Sequence, residues 1–276
     1  MKVILQWLGS NKIFNLLILF SYFLLVALPH EWVGRLTVKI FKGLPRTQYN
    51  LLIASISLLF IVLIAIGLYK SWRDHFEKRR LAVYFGMTII YMIMCFKILF
   101  VINIEAVHFP QYALFAILAF PLFKNSISTL VFSTFAGAAD ELYQYVILAP
   151  QRTNYFDFND VVTDLIGVAM GLIILKIIGI PEIKYDWASW YKKKEFLFIS
   201  SFSLVFFICC LAGLFSIYDN PGDPSFFTLV RKPEEFFWTI PPGPYVKFHV
   251  LRPLEGIILT VLLWIYYIGL NRFNSI

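Results

Sequence analysis

Eight long apolar runs constrain the fold of this chain more than any other feature. A helix needs about 20 apolar residues to cross the hydrocarbon core of a bilayer. Because an isolated strand leaves its backbone polar groups unpaired in lipid, such runs have to be helical. The sequence therefore predicts an all-α, polytopic transmembrane bundle of about eight spans. The predicted spans cover residues 13–28, 51–69, 82–102, 108–123, 127–148, 158–180, 196–217 and 253–270.

The composition agrees with a membrane protein and argues against other classes. Hydrophobic residues make up 59% of the chain, and charged residues make up 15%, against about 25% in soluble domains. The net charge of +7 is spread over the loops between apolar runs, so we expect the lipid bilayer as the partner and no nucleic acid. The three cysteines lie within apolar runs, so we expect neither a disulfide framework nor a zinc site.

The distribution of lysine and arginine predicts the orientation of the bundle. Cytoplasmic loops carry an excess of these residues, and the side that contains the N-terminus carries more of them. The strongest local bias lies at 70–80. We therefore expect a multi-pass protein of the plasma (inner) membrane with a cytoplasmic N-terminus.

Polar and ionisable residues collect at the outer ends of the fourth, fifth and sixth predicted spans. Charged groups in such positions cost several kcal/mol unless they are paired or line a wet cavity, so they mark a functional site by default. The predicted topology brings them together in one acidic vestibule on the extracytoplasmic side. These residues are Glu105, His108, Tyr112, Asp140, Glu141, Gln144, Asp160 and Asp164.

The sixth predicted span carries two further spacings with physical meaning. Asp160 and Asp164 are four residues apart, where two ionised carboxylates repel each other across one helical turn. They persist together if a cation lies between them or if one stays protonated. A divalent cation held by Asp160, Asp164 and Glu141 is one interpretation, because hard cations prefer oxygen ligands. Gly167 and Gly171 form a small-xxx-small pair that lets another helix backbone approach closely.

These residues, taken in order, resemble the VanZ-like family of membrane proteins. The family pattern has an acidic residue, a His and a Tyr in one span, and Asp-Glu-x-x-Gln in the next. An Arg follows in the loop, and the next span carries Asp-x-x-x-Asn/Asp-x-x-Gly-x-x-x-Gly. In this chain the pattern is matched by Glu105, His108, Tyr112, Asp140, Glu141, Gln144, Arg152, Asp160, Asp164, Gly167 and Gly171.

The resemblance implies a VanZ-like core over residues 1–180 and a C-terminal extension of two spans over 181–276. It also implies an envelope protein that binds or modifies an amphiphilic component, with a link in some members to glycopeptide-antibiotic resistance. It supplies no reaction, so whether the chain is an enzyme stays open, as does any cofactor. The catalytic candidates are Glu105, His108, Asp140, Glu141, Asp160 and Asp164, and the ligand-binding candidates are Tyr112, Gln144 and Arg152.

Specific roles follow from the side-chain chemistry. His108 or Glu141 would be the general acid or base, since burial tunes such groups towards neutral pH. Arg152 would bind a phosphate or carboxylate, because its planar fork matches those groups. We expect Glu141, His108 and Asp160 to lie about 3–6 Å apart, at hydrogen-bond or one-water distance. A shared network would satisfy all three charges at once.

The acidic residues also have structural interpretations. Asp140 and Glu141 could hydrogen-bond helix ends and tie helices together. Asp160 could be no more than a residue of a helix start, with Asp157 or Asn159 as the N-cap. Asp164 lies one turn deeper, where that interpretation does not apply.

Three other residues have alternative interpretations of the same kind. Lys97 and Lys176 are expected to extend their ammonium groups to the membrane surface, although Lys97 could instead pair with the carboxylates of the fifth span. Tyr112 could be an ordinary packed or interfacial tyrosine.

Two other functions and one unusual loop complete the sequence-based expectations. An ion-coupled transporter would use the same acidic groups, although the chain has no inverted repeat. A non-catalytic scaffold would use them only to join helices. The proline- and aromatic-rich connection 218–251 is expected to lie in the headgroup layer, as a linker or as a lid over the vestibule.

Overall fold

The computed structural model describes residues 1–28, 36, 39, 46–70, 75–100, 103–148, 154–219, 225–231 and 248–272. Arg152, a predicted ligand-binding residue, lies outside the described residues, as does most of the connection 218–251.

Helices make up most of the described chain, as predicted, and two short parallel strands are the exception. The helices are α1 (Lys2–Ser10), α2 (Lys12–Ala27), α3 (Arg46–Lys70), α4 (His75–Met94), α5 (His108–Phe123), α6 (Ser126–Tyr143), α7 (Phe158–Ile178), α8 (Lys194–Leu211) and α9 (Pro253–Ile268), and the strands are β1 (Phe215–Tyr218) and β2 (Phe227–Val230). Turns of π-helix extend α4 over Cys95–Leu99 and α6 over Gln144–Leu148, and short 3-10 turns lie at Asn103–Val107, Trp187–Lys192 and Gly269–Arg272.

Five helices among the described residues are long and apolar enough to cross a membrane, which supports a membrane protein. The predicted number of eight spans is not confirmed. α1 and α2 meet at a bend of 111° and add a sixth span only if the pair counts as one. The apolar part of α3, Leu51–Gly67, is shorter. α6 is absent from the five because serine, threonine and carboxylate side chains lower its hydropathy. The five segments are Arg79–Leu99, Glu105–Phe123, Phe158–Ile178, Lys194–Leu211 and Pro253–Asn271.

α7 is the central helix, and its packing depends on its two glycines. The helix is buried at most of its positions and packs against α4, α5, α6 and α9. A Cβ atom at Gly167 would lie 2.7 Å from the carbonyl oxygen of Phe109, and one at Gly171 would lie closer still to that of Ala113. Real Cβ atoms do not come that close to backbone oxygens. The prediction that this glycine pair allows a close helix approach is therefore confirmed, and the partner helix is α5.

A buried ion pair joins the helix ends that lie farthest from the acidic residues. Lys176, in the last turn of α7, pairs with Glu182, and both side chains are almost fully buried. The second carboxylate oxygen of Glu182 accepts from the backbone N–H and the hydroxyl of Ser126, at 2.9 and 2.6 Å, at the start of α6. The prediction that Lys176 extends to the membrane surface is wrong, because this carboxylate gives it a partner inside the bundle. Lys97 is exposed, in agreement with that interpretation for it.

The described pieces of the long connection attach to the end of the bundle where α6 finishes and α7 begins. β1 and β2 pair in parallel, and Tyr155 forms an antiparallel bridge with Val230. The hydroxyl of Tyr145, beyond the end of α6, donates to the carbonyl of Thr228 at 2.6 Å. This placement agrees with the expected position of the connection near the acidic residues.

Candidate functional site

His108, the first residue of α5, lies between two carboxylates of α7. Its Nδ1 is 2.8 Å from Oδ1 of Asp164, and its Nε2 is 3.7 Å from Oδ2 of Asp160. The glycine contact explains this alignment, since a Cβ at Gly167 would lie 3.0 Å from the carbonyl oxygen of His108 itself. Asp164 and Asp160 precede Gly167 by about one and two helical turns, so they share the face that meets α5.

The distances from His108 to Asp164 and Asp160 restrict which ring nitrogen carries a proton. A carboxylate only accepts, so we assign the Nδ1 proton of His108 to the hydrogen bond with Asp164. The lone pair of a neutral ring would then face Asp160, which is unfavourable unless a proton lies on one of the two groups. A proton on His108 Nε2 or on Asp160 would remove this repulsion. The 3.7 Å between the two atoms is too long for a direct hydrogen bond, so a group that enters between them could exchange a proton with either one.

α6 contributes the second part of the cluster. Tyr112, one turn beyond His108, donates its hydroxyl to Oδ2 of Asp140 at 3.2 Å. Gln144 donates to Oε1 of Glu141 at 2.7 Å. Asp140 and Glu141 are both buried. The two acids of α6 and the two of α7 therefore lie within one bundle end, as the ordered sequence pattern suggested.

Gly137 brings α6 against the other face of Asp164. A Cβ atom at this position would lie 2.7 Å from Oδ2 of Asp164. That oxygen is buried and has no hydrogen-bond partner among the described residues. Asp164 therefore contacts the ring of His108 on one side and the backbone of α6 at Gly137 on the other.

The start of α7 is held by Asp157 and Asn159. Asp157 is the N-cap and accepts from the backbone N–H of Asn159 at 2.9 Å. Burial, together with the nearby charge of Asp160, raises the pKa of Asp157 to about 7. Asp157 is one of the two N-caps expected in the interpretation of Asp160 as only a helix-start residue. That interpretation does not account for the side chain of Asp160, which lies 3.7 Å from Nε2 of His108.

Asn159 ties three segments together. Its amide nitrogen donates to the carbonyls of Leu99 at 3.2 Å and His249 at 2.8 Å, and its oxygen accepts from the N–H of Leu251 at 2.9 Å. The end of α4, the segment before α9 and the start of α7 thus meet at one side chain. The sequence identifies Asn159 only as a possible cap next to Asp160. Its contacts could not be predicted from local sequence, because its partners lie 60 or more residues away.

The cluster is a buried one, not the open vestibule that the sequence predicted. His108, Asp140, Glu141 and Asp164 are each at most 3% exposed. Asp160 is the outermost member, with 17% of its side chain exposed. Access from outside would therefore begin at Asp160.

The other predicted residues have these positions. His108 and Asp160 meet the expected 3–6 Å separation, and for Glu141 that separation stays a prediction. Glu105 is partly buried in the 3-10 turn before α5 and forms an interaction there. Asp140 is hydrogen-bonded by Tyr112, and Lys97 is exposed, so the structure gives no support to pairing with Lys97.

The divalent-cation interpretation does not fit the side chains present. Within the described residues, no three His, Cys, Asp or Glu side chains are arranged to hold a metal ion. The ring of His108 takes the place between Asp160 and Asp164 where a bridging cation was expected. When protonated, this imidazole would supply a positive charge between the two carboxylates.

No family model, no curated protein and no solved structure matches this chain.

Proposed function

We propose that this chain is an integral membrane protein of the cell envelope that binds or modifies an amphiphilic component at the His108 cluster. The observation that carries the proposal is the position of His108, fixed by Asp164 at 2.8 Å and directed at Asp160 at 3.7 Å. An imidazole held through one nitrogen by a buried carboxylate is oriented for proton transfer through the other nitrogen.

In this proposal Asp164 orients His108, and Nε2 of His108 is the working nitrogen. The 3.7 Å gap to Asp160 is longer than a direct hydrogen bond. A substrate hydroxyl or phosphate entering beside Asp160 would lie within reach of both groups, and one of them would exchange a proton with it. The cluster is buried, and burial strengthens each electrostatic interaction within it.

The amphiphilic class of the substrate is inferred from location and resemblance. The cluster lies at the ends of apolar helices, where the headgroup of a lipid meets the hydrocarbon core. The distribution of lysine and arginine adds the expectation of a cytoplasmic N-terminus and an extracytoplasmic site. The VanZ-like resemblance adds a link to glycopeptide-antibiotic resistance. Arg152 stays a proposed ligand for an anionic headgroup.

The experiment compares the lipids of cells that express the protein with those of matched variants. Wild type, His108→Asn, Asp164→Asn and Asp160→Asn would be produced in a bacterial host at equal membrane levels. We expect one class of envelope lipid to change in amount or mass with the wild type, and the change to disappear with the three variants. Lys97→Gln, which alters an exposed charge, is the control and should behave as the wild type.

Two outcomes would contradict the proposal. Identical lipid profiles for wild type and His108→Asn would remove the chemical role of the cluster. If all variants lost abundance in parallel with their effect, the cluster would be a scaffold that joins helices. Native mass spectrometry of the purified protein would separate tight lipid binding from turnover.

A second function, an ion-coupled transporter, is favoured by the excess of carboxylates over cations. Asp140, Glu141, Asp160 and Asp164 share the cluster with one histidine among the described residues. Acidic groups in such a site bind and release protons as readily as they catalyse. Solute uptake into liposomes that follows a pH gradient, and its loss in Asp164→Asn, would support this function over the first.

A further inference from the structure

The N-terminal helix α1 has three distinct sectors around its axis. With about 100° between successive residues, Leu5, Leu8 and Gly9 fall on one side, and all three are buried. Val3, Ile4 and Trp7 occupy the next sector and are 76%, 62% and 50% exposed. The third sector contains the polar residues Gln6 and Ser10, which are also exposed. A helix in water has no reason to keep an exposed apolar sector beside a polar one.

The buried sector packs on the end of the bundle opposite the His108 cluster. A Cβ atom at Gly9 would lie 3.4 Å from the carbonyl oxygen of Pro121, near the end of α5. One at Gly179, just past α7, would lie 3.5 Å from the ammonium nitrogen of Lys2. α1 therefore lies across the ends of the two helices that carry His108 and Asp164.

The exposed apolar sector of α1 continues into the exposed apolar surface of α2. The rings of Trp7 and Phe14 meet edge to face across the bend, with centroids 5.0 Å apart. Beyond Phe14, α2 exposes Leu17 and Phe20, as expected for a span. α2 covers most of the first span that the sequence predicts. With α2 along the membrane normal, a helix bent by 111° from it runs close to the membrane plane.

We propose that α1 is an interfacial helix that lies in the headgroup layer of one leaflet. Val3, Ile4 and Trp7 insert into the lipid, Gln6 and Ser10 face water, and Lys2 and Lys12 lie near the phosphate groups. Amphipathic helices bind bilayer surfaces through this division of their faces, and Trp is enriched at that depth. The partner is the phospholipid monolayer itself, and anionic lipids suit the two lysines.

Spin-label accessibility provides the test. In the full chain with Cys95, Cys209 and Cys210 replaced by alanine, single cysteines at positions 3, 4, 7, 6 and 10 would carry a nitroxide. The protein would be placed in vesicles of phosphatidylcholine and phosphatidylglycerol. We expect oxygen, which concentrates in lipid, to reach 3, 4 and 7 severalfold better than a water-soluble nickel complex does. The nickel complex should be favoured at 6 and 10, which serve as controls on the same helix.

Two results would overturn the proposal. Equal nickel access at all five positions would mean that the apolar sector faces water. Low access of both reagents at 3, 4 and 7 would mean that another protein surface, such as a second copy, covers it. Because the cysteine replacements can disturb folding, the unmodified chain would also be labelled with lipid-soluble and water-soluble carbene precursors. We expect the lipid-soluble reagent to label Val3, Ile4 and Trp7 and the water-soluble reagent to label Gln6 and Ser10. Labelling of all five residues by the water-soluble reagent alone would overturn the proposal.

Discussion

At the scale of single residues, the cluster depends on the missing side chain of Gly137 as well as on the contact between His108 and Asp164. Asp164 has an ion-pair partner on one side and only the backbone of Gly137 on the other. Its Oδ2 fills the space that a side chain at 137 would take. A glycine inside a helix costs up to about 1 kcal/mol relative to alanine. The cluster therefore retains a locally unfavourable residue because the carboxylate needs the room.

Gly137→Ala is expected to destabilise the protein in spite of the better helix propensity of alanine. The new Cβ would lie 2.7 Å from Oδ2 of Asp164, so Asp164 or α6 has to move. Overpacking of this kind costs about 1–3 kcal/mol. Thermal unfolding in detergent would measure the loss, and the contact between Asp164 and His108 should weaken with it.

Gly86→Ala is the matched control for that substitution. Gly86 also lies within a helix, α4, but its Cβ would meet no atom within 4 Å. We expect this variant to be as stable as the wild type or slightly more stable. Equal stability of Gly137→Ala and Gly86→Ala would mean that the approach of α6 to Asp164 is not tight.

At the scale of elements, α7 is fixed at both ends by groups distant in sequence. Asp157 caps its start, and Asn159 binds the backbone of two other segments. Its last turn carries Lys176, and Gly179 ends it with a left-handed φ of 71°. These attachments hold the helix in the register that sets Asp160 and Asp164 beside His108.

The N-cap predicts a pH dependence of stability. The pKa of Asp157 is about 7 in the folded protein, against 3.8 for an ordinary aspartate. The folded state therefore binds more protons than the unfolded state between these values, and stability should fall as the pH rises from about 4 to about 7. In Asp157→Asn this contribution should disappear while the cap remains, since asparagine caps as well as aspartate. Thermal unfolding from pH 4.5 to 8 would compare the two, and identical slopes would contradict the assignment.

The ion pair at the other end of α7 predicts a double-variant effect. Lys176→Met leaves the Glu182 carboxylate buried without its cation, which should cost about 3–5 kcal/mol. Glu182→Gln should cost a comparable amount. The combination of both should recover much of the loss, because no buried charge then remains and the glutamine oxygen can still accept from Ser126. Additive losses in the double variant would show that charge pairing is not the source of the stability.

At the scale of the whole molecule, the sequence predicted those features that depend on the residue pattern within a single segment. The helical membrane class, the helix positions and the glycine contact all follow from spacing along one segment. The Glu182 partner of Lys176 and the contacts of Asn159 join segments that only packing brings together. The bend between α1 and α2 and the hydroxyl content of α6 changed the apparent number of spans. The burial of the acids also depends on tertiary packing, so the sequence indicated a cluster but predicted it as an open vestibule.

The orientation of the whole bundle is the remaining sequence-based prediction, and two exposed positions at opposite ends can test it. Arg79 lies near the start of α4, and Tyr218 ends β1 at the end of the bundle that holds the His108 cluster. If lysine and arginine set the topology, the N-terminus is cytoplasmic and the cluster faces outward. In a variant without native cysteines, a membrane-impermeant thiol reagent added to intact cells should label Tyr218→Cys and leave Arg79→Cys unlabelled until the cells are opened. The reverse pattern would place the His108 cluster on the cytoplasmic side, and the amphiphilic substrate would then have to be sought in the inner leaflet.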